Sequence, residues 1–345
     1  MRTEAVMQTY PTSPDAFAAL DLGTNNCRLL VAVPQAQSFR VLESFSRIVR
    51  LGEGLHLSGQ LGEPAMERAL LALKACAGRL AHRELRGIRA VATEACRRAG
   101  NGRAFLDRVS AETGLALDII TPREEAELAL ESCTPLLQPL TAQGIRRALL
   151  FDIGGGSTEL GWVRVSGEAA PSLAGYVSLP VGVAGLADQL GRQGFDAVVE
   201  QIGEMLAPFD RIHCIGQEMR SGGVVLLGTS GTVTTLAGIA LGLSRYRRPL
   251  IDGLVLSTAE IDAAMARLLA MGPAELAAHP CIGPERMGFV LPGCAVFEAI
   301  RRLWPAPQVV VADRGLREGM LLRMMRTARS TRPRPLRPAR QAVSA

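Results

Sequence analysis

Lysine is almost missing from this chain of 345 residues: Lys74 is the only one among 38 basic side chains. It sits in Leu71-Ala72-Leu73-Lys74-Ala75-Cys76 without a glycine loop before it. That excludes a P-loop, whose lysine follows a glycine-rich turn to reach the phosphates. Arginine, backbone amides or a metal must then handle any bound phosphate. Aromatics are scarce as well, with two Trp and three Tyr, so no aromatic cluster marks a nucleobase pocket. The seven cysteines (Cys27, Cys76, Cys96, Cys133, Cys214, Cys281, Cys294) form no C-x-x-C, and the four histidines do not pair with them at ligand spacing. This disfavours zinc and reads as reduced, mostly core thiols of a cytoplasmic protein. The most apolar uncharged window, Val224 to Leu243, holds four Gly and five Ser or Thr. It suits a strand, a loop and a buried helix better than a membrane span. Met1 to Phe17 carries Glu4 and Asp15 and lacks the apolar core of a secretory signal.

The net charge of +5 belongs to one end. Arg323 to Ala345 contains seven Arg and no acid, and removing those charges leaves −2 for the rest. Pro333, Pro335 and Pro338 lie among them, so residues 329–345 read as a basic disordered tail and 1–14 as a flexible start. The body of the chain offers no basic face for a specific nucleic acid.

The stretch around which the rest is organised runs from Leu149 to Leu160: an apolar run, Asp152, Ile153, the glycines Gly154, Gly155 and Gly156, then Ser157, Thr158 and Glu159. It reads as a strand, a tight turn and a returning strand. Three glycines leave the turn without side chains, so backbone N–H groups can close on an anion. Asp152 and Glu159 can face a hard cation such as Mg²⁺. An ordinary glycine-rich hairpin would explain this segment alone, but the design recurs near the start. Phe17 to Val31 repeats an apolar run, then Asp21, Leu22, Gly23, Thr24 and Asn25, then apolar residues. A third loop, Gly228-Thr229-Ser230-Gly231-Thr232, leaves an apolar run and enters a helix through Ala240. Two aspartate hairpins in separate halves, with a Gly/Thr loop, point to two similar lobes facing each other across a phosphate cleft.

Other elements follow from periodicity and punctuation. Arg40 to Val49 alternates as a strand, a helix opens at Pro64, and a short strand over Ile88 to Ala92 ends at Thr93-Glu94-Ala95-Cys96-Arg97-Arg98. Gly102 to Thr113 reads as a helix and Leu115 to Ile120 as a strand. Thr121-Pro122-Arg123-Glu124 then has Thr at N-cap, Pro at N1 and Glu at N3, the pattern of a reciprocal capping box. Glu124 is thereby occupied at the helix start and Glu125 is free to project from the first turn, where the helix dipole favours its ionised form. Such a carboxylate beside a phosphate site suits a general base or metal ligand. Farther on, Phe195 to Leu206 reads as a helix and Ser257 with Glu260 as a second capping box. The strand from Val309 ends in Asp313-Arg314-Gly315, and a helix from Arg317 can pack back on the first lobe.

Taken together, Asp21 to Asn25, Thr93 to Asn101 with Arg97, Glu124-Glu125-Ala126, Asp152 to Glu159, Gly228 to Thr232 and Asp313 to Gly319 resemble the exopolyphosphatase and guanosine pentaphosphate phosphatase family. The resemblance covers about Phe17 to Met325 and implies an α/β fold of two ribonuclease H-like (actin-like ATPase) lobes across a cleft, residues 15–145 and 146–315, with the helix over 316–328 on the first. By position it implies Glu125 as catalytic glutamate and Arg97 as a phosphate-binding catalytic arginine. Asp21, Gly23, Thr24, Asn25, Gly154, Gly155, Gly156, Ser157, Thr158, Gly228, Ser230, Gly231 and Thr232 become phosphate-loop residues, with Asp152 and Glu159 holding Mg²⁺ or another divalent cation. Arg286-Met287-Gly288 departs from the family's expected Arg-Ala-Asp. The chain resembles the short two-domain members. The implied activity is hydrolysis of the terminal phosphoanhydride of inorganic polyphosphate, or of the 5′ γ-phosphate of guanosine pentaphosphate. The partners are those substrates, with no membrane and with room for a homodimer. A small-molecule kinase and a noncatalytic phosphate or alarmone sensor share the aspartate loops and remain rivals.

Overall fold

The structure, a computed structural model, describes residues 15–36 and 38–330. Among the described residues eleven strands form two sheets. The first contains β1 (Ala16–Leu22), β2 (Asn26–Gln35), β3 (Ser38–Ile48), β4 (Leu85–Ala92) and β5 (Asp118–Ile119), in the order β3-β2-β1-β4-β5. The second contains β6 (Arg147–Ile153), β7 (Thr158–Arg164), β8 (Ser172–Leu179), β9 (Val224–Gly228), β10 (Val255–Ser257) and β11 (Gln308–Val311), in the order β10-β11-β9-β6-β7-β8. In each, three antiparallel strands lead and a parallel strand returns beside the first, with β4 pairing β1 and β9 pairing β6. The same ribonuclease H-like order therefore occurs twice. The central strands read as near-continuous apolar runs because both faces are covered: six of seven β1 residues are buried.

The helices cross between these sheets. The helix Pro122–Leu137 follows the first sheet in sequence, yet its Ala129, Leu130, Cys133 and Leu137 pack with Ala148, Leu150, Val225 and Val310 of the second. Reciprocally, the helix Leu316–Ser330 follows the second sheet and packs Met320, Leu321 and Met325 with Phe17, Ala19 and Leu30 of the first. A division near residue 145 thus separates two sheets but not two packing units. Where the two helices cross, Gly319 lies so close to the neighbouring backbone that a Cβ there would be 2.1 Å from Leu128 O.

Several boundaries differ from expectation. The strand expected over Leu115 to Ile120 is reduced to Asp118–Ile119, because β4 offers it only Val91 and Ala92 as partners. The helix from Phe195 runs on to His213. Arg329 and Ser330 close the last helix instead of opening the tail, since helical hydrogen bonding carries past the last residues packed on the sheet. The rest of the expected tail, 331–345, and the expected flexible start, 1–14, lie outside the described residues. All seven cysteines are free and six are buried, with Cys214 exposed. Among the described residues, no helix is long and apolar enough to cross a membrane.

A methyl group at the helix crossing tests this packing. Alanine in place of a helical glycine ordinarily stabilises by about 0.5–1 kcal/mol, and Gly78→Ala, with open space around its Cβ, should do so. Gly319→Ala should instead lose about 1–3 kcal/mol in urea unfolding, the usual cost of overpacking. A Gly319→Ala protein as stable as the native one would contradict the crossing.

Candidate active site

Both aspartate hairpins are built alike. Asp21 stands opposite Arg28 and Asp152 opposite Glu159 in their ladders, and directly opposed residues project to the same side. Each turn closes with the same bond, Gly23 N–H to Asn26 O and Gly154 N–H to Ser157 O, both at 2.9 Å. The second turn packs directly on the first. A Cβ on Gly155 would be 3.0 Å from Asn25 Cβ, and one on Gly156 would be 2.7 Å from Thr24 Oγ1. Glycine is required there by close approach. Beside them Ser230 caps the helix Gly231–Ala240, its Oγ accepting from Val233 N–H at 3.3 Å. The cleft so formed has a volume of about 780 Å³.

Glu125 enters the cleft from the first turn of the helix Pro122–Leu137 and is 5% exposed. Only half of the expected capping box forms. Thr121 Oγ1 accepts from Glu124 N–H at 3.2 Å, but the Glu124 carboxylate takes Arg89 Nη2 at 3.1 Å, a charged donor replacing a neutral amide. Glu125 Oε1 accepts from Arg97 Nη1 at 2.5 Å. Arg97 donates further to Ile120 O at 2.8 Å and to Glu94 Oε2 at 3.1 Å. Glu159 Oε1 accepts from Ser157 Oγ at 2.6 Å and Ser178 Oγ at 3.0 Å.

Of the residues expected at the site, the structure brings together Asp21, Gly23, Thr24, Asn25, Glu125, Asp152, Gly154, Gly155, Gly156, Ser157, Glu159, Ser230, Gly231 and Thr232 around one cleft. Three stand outside it. Arg97 lies behind Glu125, its guanidinium taken up by two carboxylates and a carbonyl. Thr158 neighbours Glu159 in β7, so strand alternation turns it to the other face, where its Oγ1 donates to Val181 O at 2.7 Å. Gly228 ends β9 against an aromatic ring: a Cβ there would be 2.6 Å from Phe151 Cζ. Its glycine serves packing.

The structure adds to the cleft five arginines that carry no site role in the sequence: Arg28 and Arg47, with Arg286, Arg314 and Arg317 from the motifs named above. Arg286 Nη2 donates to Gly231 O at 2.8 Å and to Thr235 Oγ1 at 3.3 Å. One signal was available. Arg28 follows Asp21 by the same seven positions that separate Glu159 from Asp152.

Eight Asp or Glu line the cleft together with these five arginines. Burial raises all four central carboxylates. It takes Asp152 to about 6 against the opposing pull of Arg28, and Glu125 to about 7 against Arg97, with the charges of Asp21 and Asp152 adding to the rise. Burial and then the charge of Glu125 push Glu159 up, and burial outweighs Arg28 and Arg317 at Asp21. Asp21 Oδ1 and Asn25 Oδ1 are buried without a hydrogen-bond partner. Unsatisfied oxygens among surplus carboxylates fit a hard cation. Among the described residues no three His, Cys, Asp or Glu side chains converge to hold a metal alone, so such an ion would complete its shell with water and substrate oxygens.

Two facing ribonuclease H-like lobes with aspartate hairpins, a helix N-terminus and five arginines on one cleft define a protein that handles phosphoryl groups. The sequence profile of the Ppx/GppA phosphatase family matches residues 30–328, and the chain belongs to that family. It is similar to a solved exopolyphosphatase-like protein, 28% identical with a TM-score of 0.78 over 91% of this chain and 98% of that one. It is also similar to the Aquifex aeolicus Ppx/GppA family member, 25% identical with a TM-score of 0.73 over 91% and 98% of the two chains. An exopolyphosphatase from Cytophaga hutchinsonii shares the fold at 23% identity, with a TM-score of 0.78 over 90% of this chain and 98% of that one.

The raised carboxylates fix a sign for stability. A carboxyl whose folded pKa lies above its unfolded value contributes stability that is fully present below the ordinary carboxylate range and is lost as pH rises through the folded value. With Asp152 at about 6 and Glu125 at about 7, the melting temperature of metal-free protein should fall between about pH 5 and about pH 8. A rise across that interval in a thermal melt would contradict the electrostatics.

Proposed function

We propose that the protein is an exopolyphosphatase, hydrolysing the terminal phosphoanhydride of inorganic polyphosphate and releasing orthophosphate. The observation that carries this is Glu125, a buried carboxylate raised to about 7, facing the space between the two hairpin turns. A base with a pKa near ambient pH can accept a proton from water and still be substantially ionised. The water oxygen forms a bond to the terminal phosphorus as the bridging P–O bond breaks, and the shortened chain leaves with the bridging oxygen. Backbone amides of Gly155 to Ser157 and the guanidiniums of Arg28, Arg286 and Arg317 are the groups placed to hold phosphate oxygens, the electrostatic work that dominates phosphoryl transfer. Mg²⁺, held by Asp152 and Glu159 beside the unsatisfied Asp21 oxygen, would supply charge neutralisation. The buried, unbridged thiols fit a cytoplasmic setting.

A second reading, removal of the 5′ γ-phosphate of guanosine pentaphosphate, is favoured by one observation. Tyr246 and Phe289, far apart in sequence, both line the cleft with Leu268 and Val290. That apolar wall was not visible in the aromatic count, and it is where a purine could rest.

Orthophosphate release with Mg²⁺ from long-chain polyphosphate and from guanosine pentaphosphate, offered alone and in competition, decides between the two. Polyphosphate should be the preferred substrate. Glu125→Gln should lower turnover roughly 10²–10⁴-fold while still binding substrate. In the native protein, kcat/KM should rise with pH through about 7, where Glu125 ionises. No release from either substrate would end the hydrolase reading, and an active Glu125→Gln would end the base assignment.

A further inference from the structure

Arg97 and Glu94 form a chain of ionic hydrogen bonds that ends on Glu125. Glu94 is the first residue of a short helix, Glu94–Arg98, at the end of β4. Its Oε2 accepts from Arg97 Nη2 at 3.1 Å, and Arg97 Nη1 reaches Glu125 Oε1 at 2.5 Å and Ile120 O at 2.8 Å. The Glu94 and Glu125 side chains are 12% and 6% exposed, and that of Arg97 is 21% exposed. One guanidinium is thus held between two largely buried carboxylates, anchored by a carbonyl and set back from the cleft wall. This geometry sets the guanidinium behind Glu125 and suits it to hold that carboxylate. Glu94 has a second contact. A Cβ on Gly156 would be 3.1 Å from Glu94 Cγ, so Glu94 rests against the glycine turn of the opposite lobe.

We propose that Glu94 and Arg97 are positioning residues: Glu94, seated against the Gly156 turn, fixes the Arg97 guanidinium, which in turn fixes the Glu125 carboxylate toward the cleft. The inference rests on Glu125 being the base. It ties orientation of the base to the contact between the lobes, because the residue at the far end of the chain touches the other lobe. Arg98 also approaches Glu94, at 3.5 Å, but it is half exposed and adds little. The charged groups around Glu125 are Arg97 and, more distantly, Asp21, Asp152 and Glu159.

The test uses the full-length protein with inorganic tripolyphosphate and Mg²⁺. Glu94→Gln should lower kcat about 10–100-fold, within the range for impaired acid–base catalysis, with KM changed less than about threefold. Arg97→Gln should do at least as much, with Arg97→Lys and added guanidinium each restoring part of it. The double variant should be no slower than Arg97→Gln, since both act through one chain. A tenfold rise in KM at unchanged kcat for Arg97→Gln would make Arg97 a phosphate ligand and overturn the proposal, as would additive losses. A readout independent of turnover separates this from failure of the hydrolase reading. The guanidinium proton resonances of Arg97 should be resolved in native protein and collapse in Glu94→Gln. Their persistence in that variant would overturn the chain even if the protein hydrolyses nothing, and their collapse would uphold it in the same case.

Discussion

Four carboxylates gathered in one cleft, two buried and two half-buried, set the terms for the rest of this molecule. Asp21, Glu125, Asp152 and Glu159 come from two hairpins and one helix, and each is 7% exposed or less apart from the two aspartates at the strand ends. Desolvation opposes their ionisation, and the charge of Asp21 raises Asp152 and Glu125 while those of Glu125 and Asp152 raise Glu159. Their compensation is local and uneven. Arg97 faces Glu125, Arg28 faces both aspartates, and Glu159 has only the hydroxyls of Ser157 and Ser178. The uneven supply makes this more than a structural ion-pair network. It is the arrangement that the proposed mechanism uses, with Glu125 as proton acceptor and the other carboxylates as the groups that would hold a cation brought with an anionic substrate.

The fold maintains that arrangement by duplication with one change. Each lobe delivers an aspartate on its first strand, turns through glycine and returns, yet the residue opposite the aspartate is Arg28 in one lobe and Glu159 in the other. Two acidic returns would add charge without relief, and two basic returns would leave less capacity for a cation. The exchange of helices between sheets then fixes the lobes, because the helix that carries Glu125 packs on the opposite sheet. The packing between the sheets therefore bears directly on where Glu125 points.

How much of this was legible in the sequence follows from the range of each interaction. The aspartate hairpins could be read because strand, turn and returning strand lie within a dozen residues. Thr121 and Pro122 marked the start of the helix that carries Glu125 for the same reason. Arg28, Arg286 and Arg317 could not be placed, since the destination of a long cationic side chain depends on which lobes meet. Arg97 carried a phosphate-binding expectation, and only the tertiary contacts with Glu94 and Ile120 show it facing the base. Thr158 was assigned to the phosphate loop by contiguity, although its alternation with Glu159 could have excluded it. Tyr246 and Phe289 show that an aromatic count says little about a pocket, because two rings suffice once folding brings them together.

The central claim is that water, activated by Glu125, attacks the terminal phosphorus. Turnover of tripolyphosphate in ¹⁸O-enriched water, with the products resolved by mass, tests it most directly. The account predicts one solvent-derived oxygen in each released orthophosphate and none in the residual pyrophosphate after a single cleavage. Label appearing in the pyrophosphate, or orthophosphate released without label, would place the attack on another atom or through another nucleophile and contradict it.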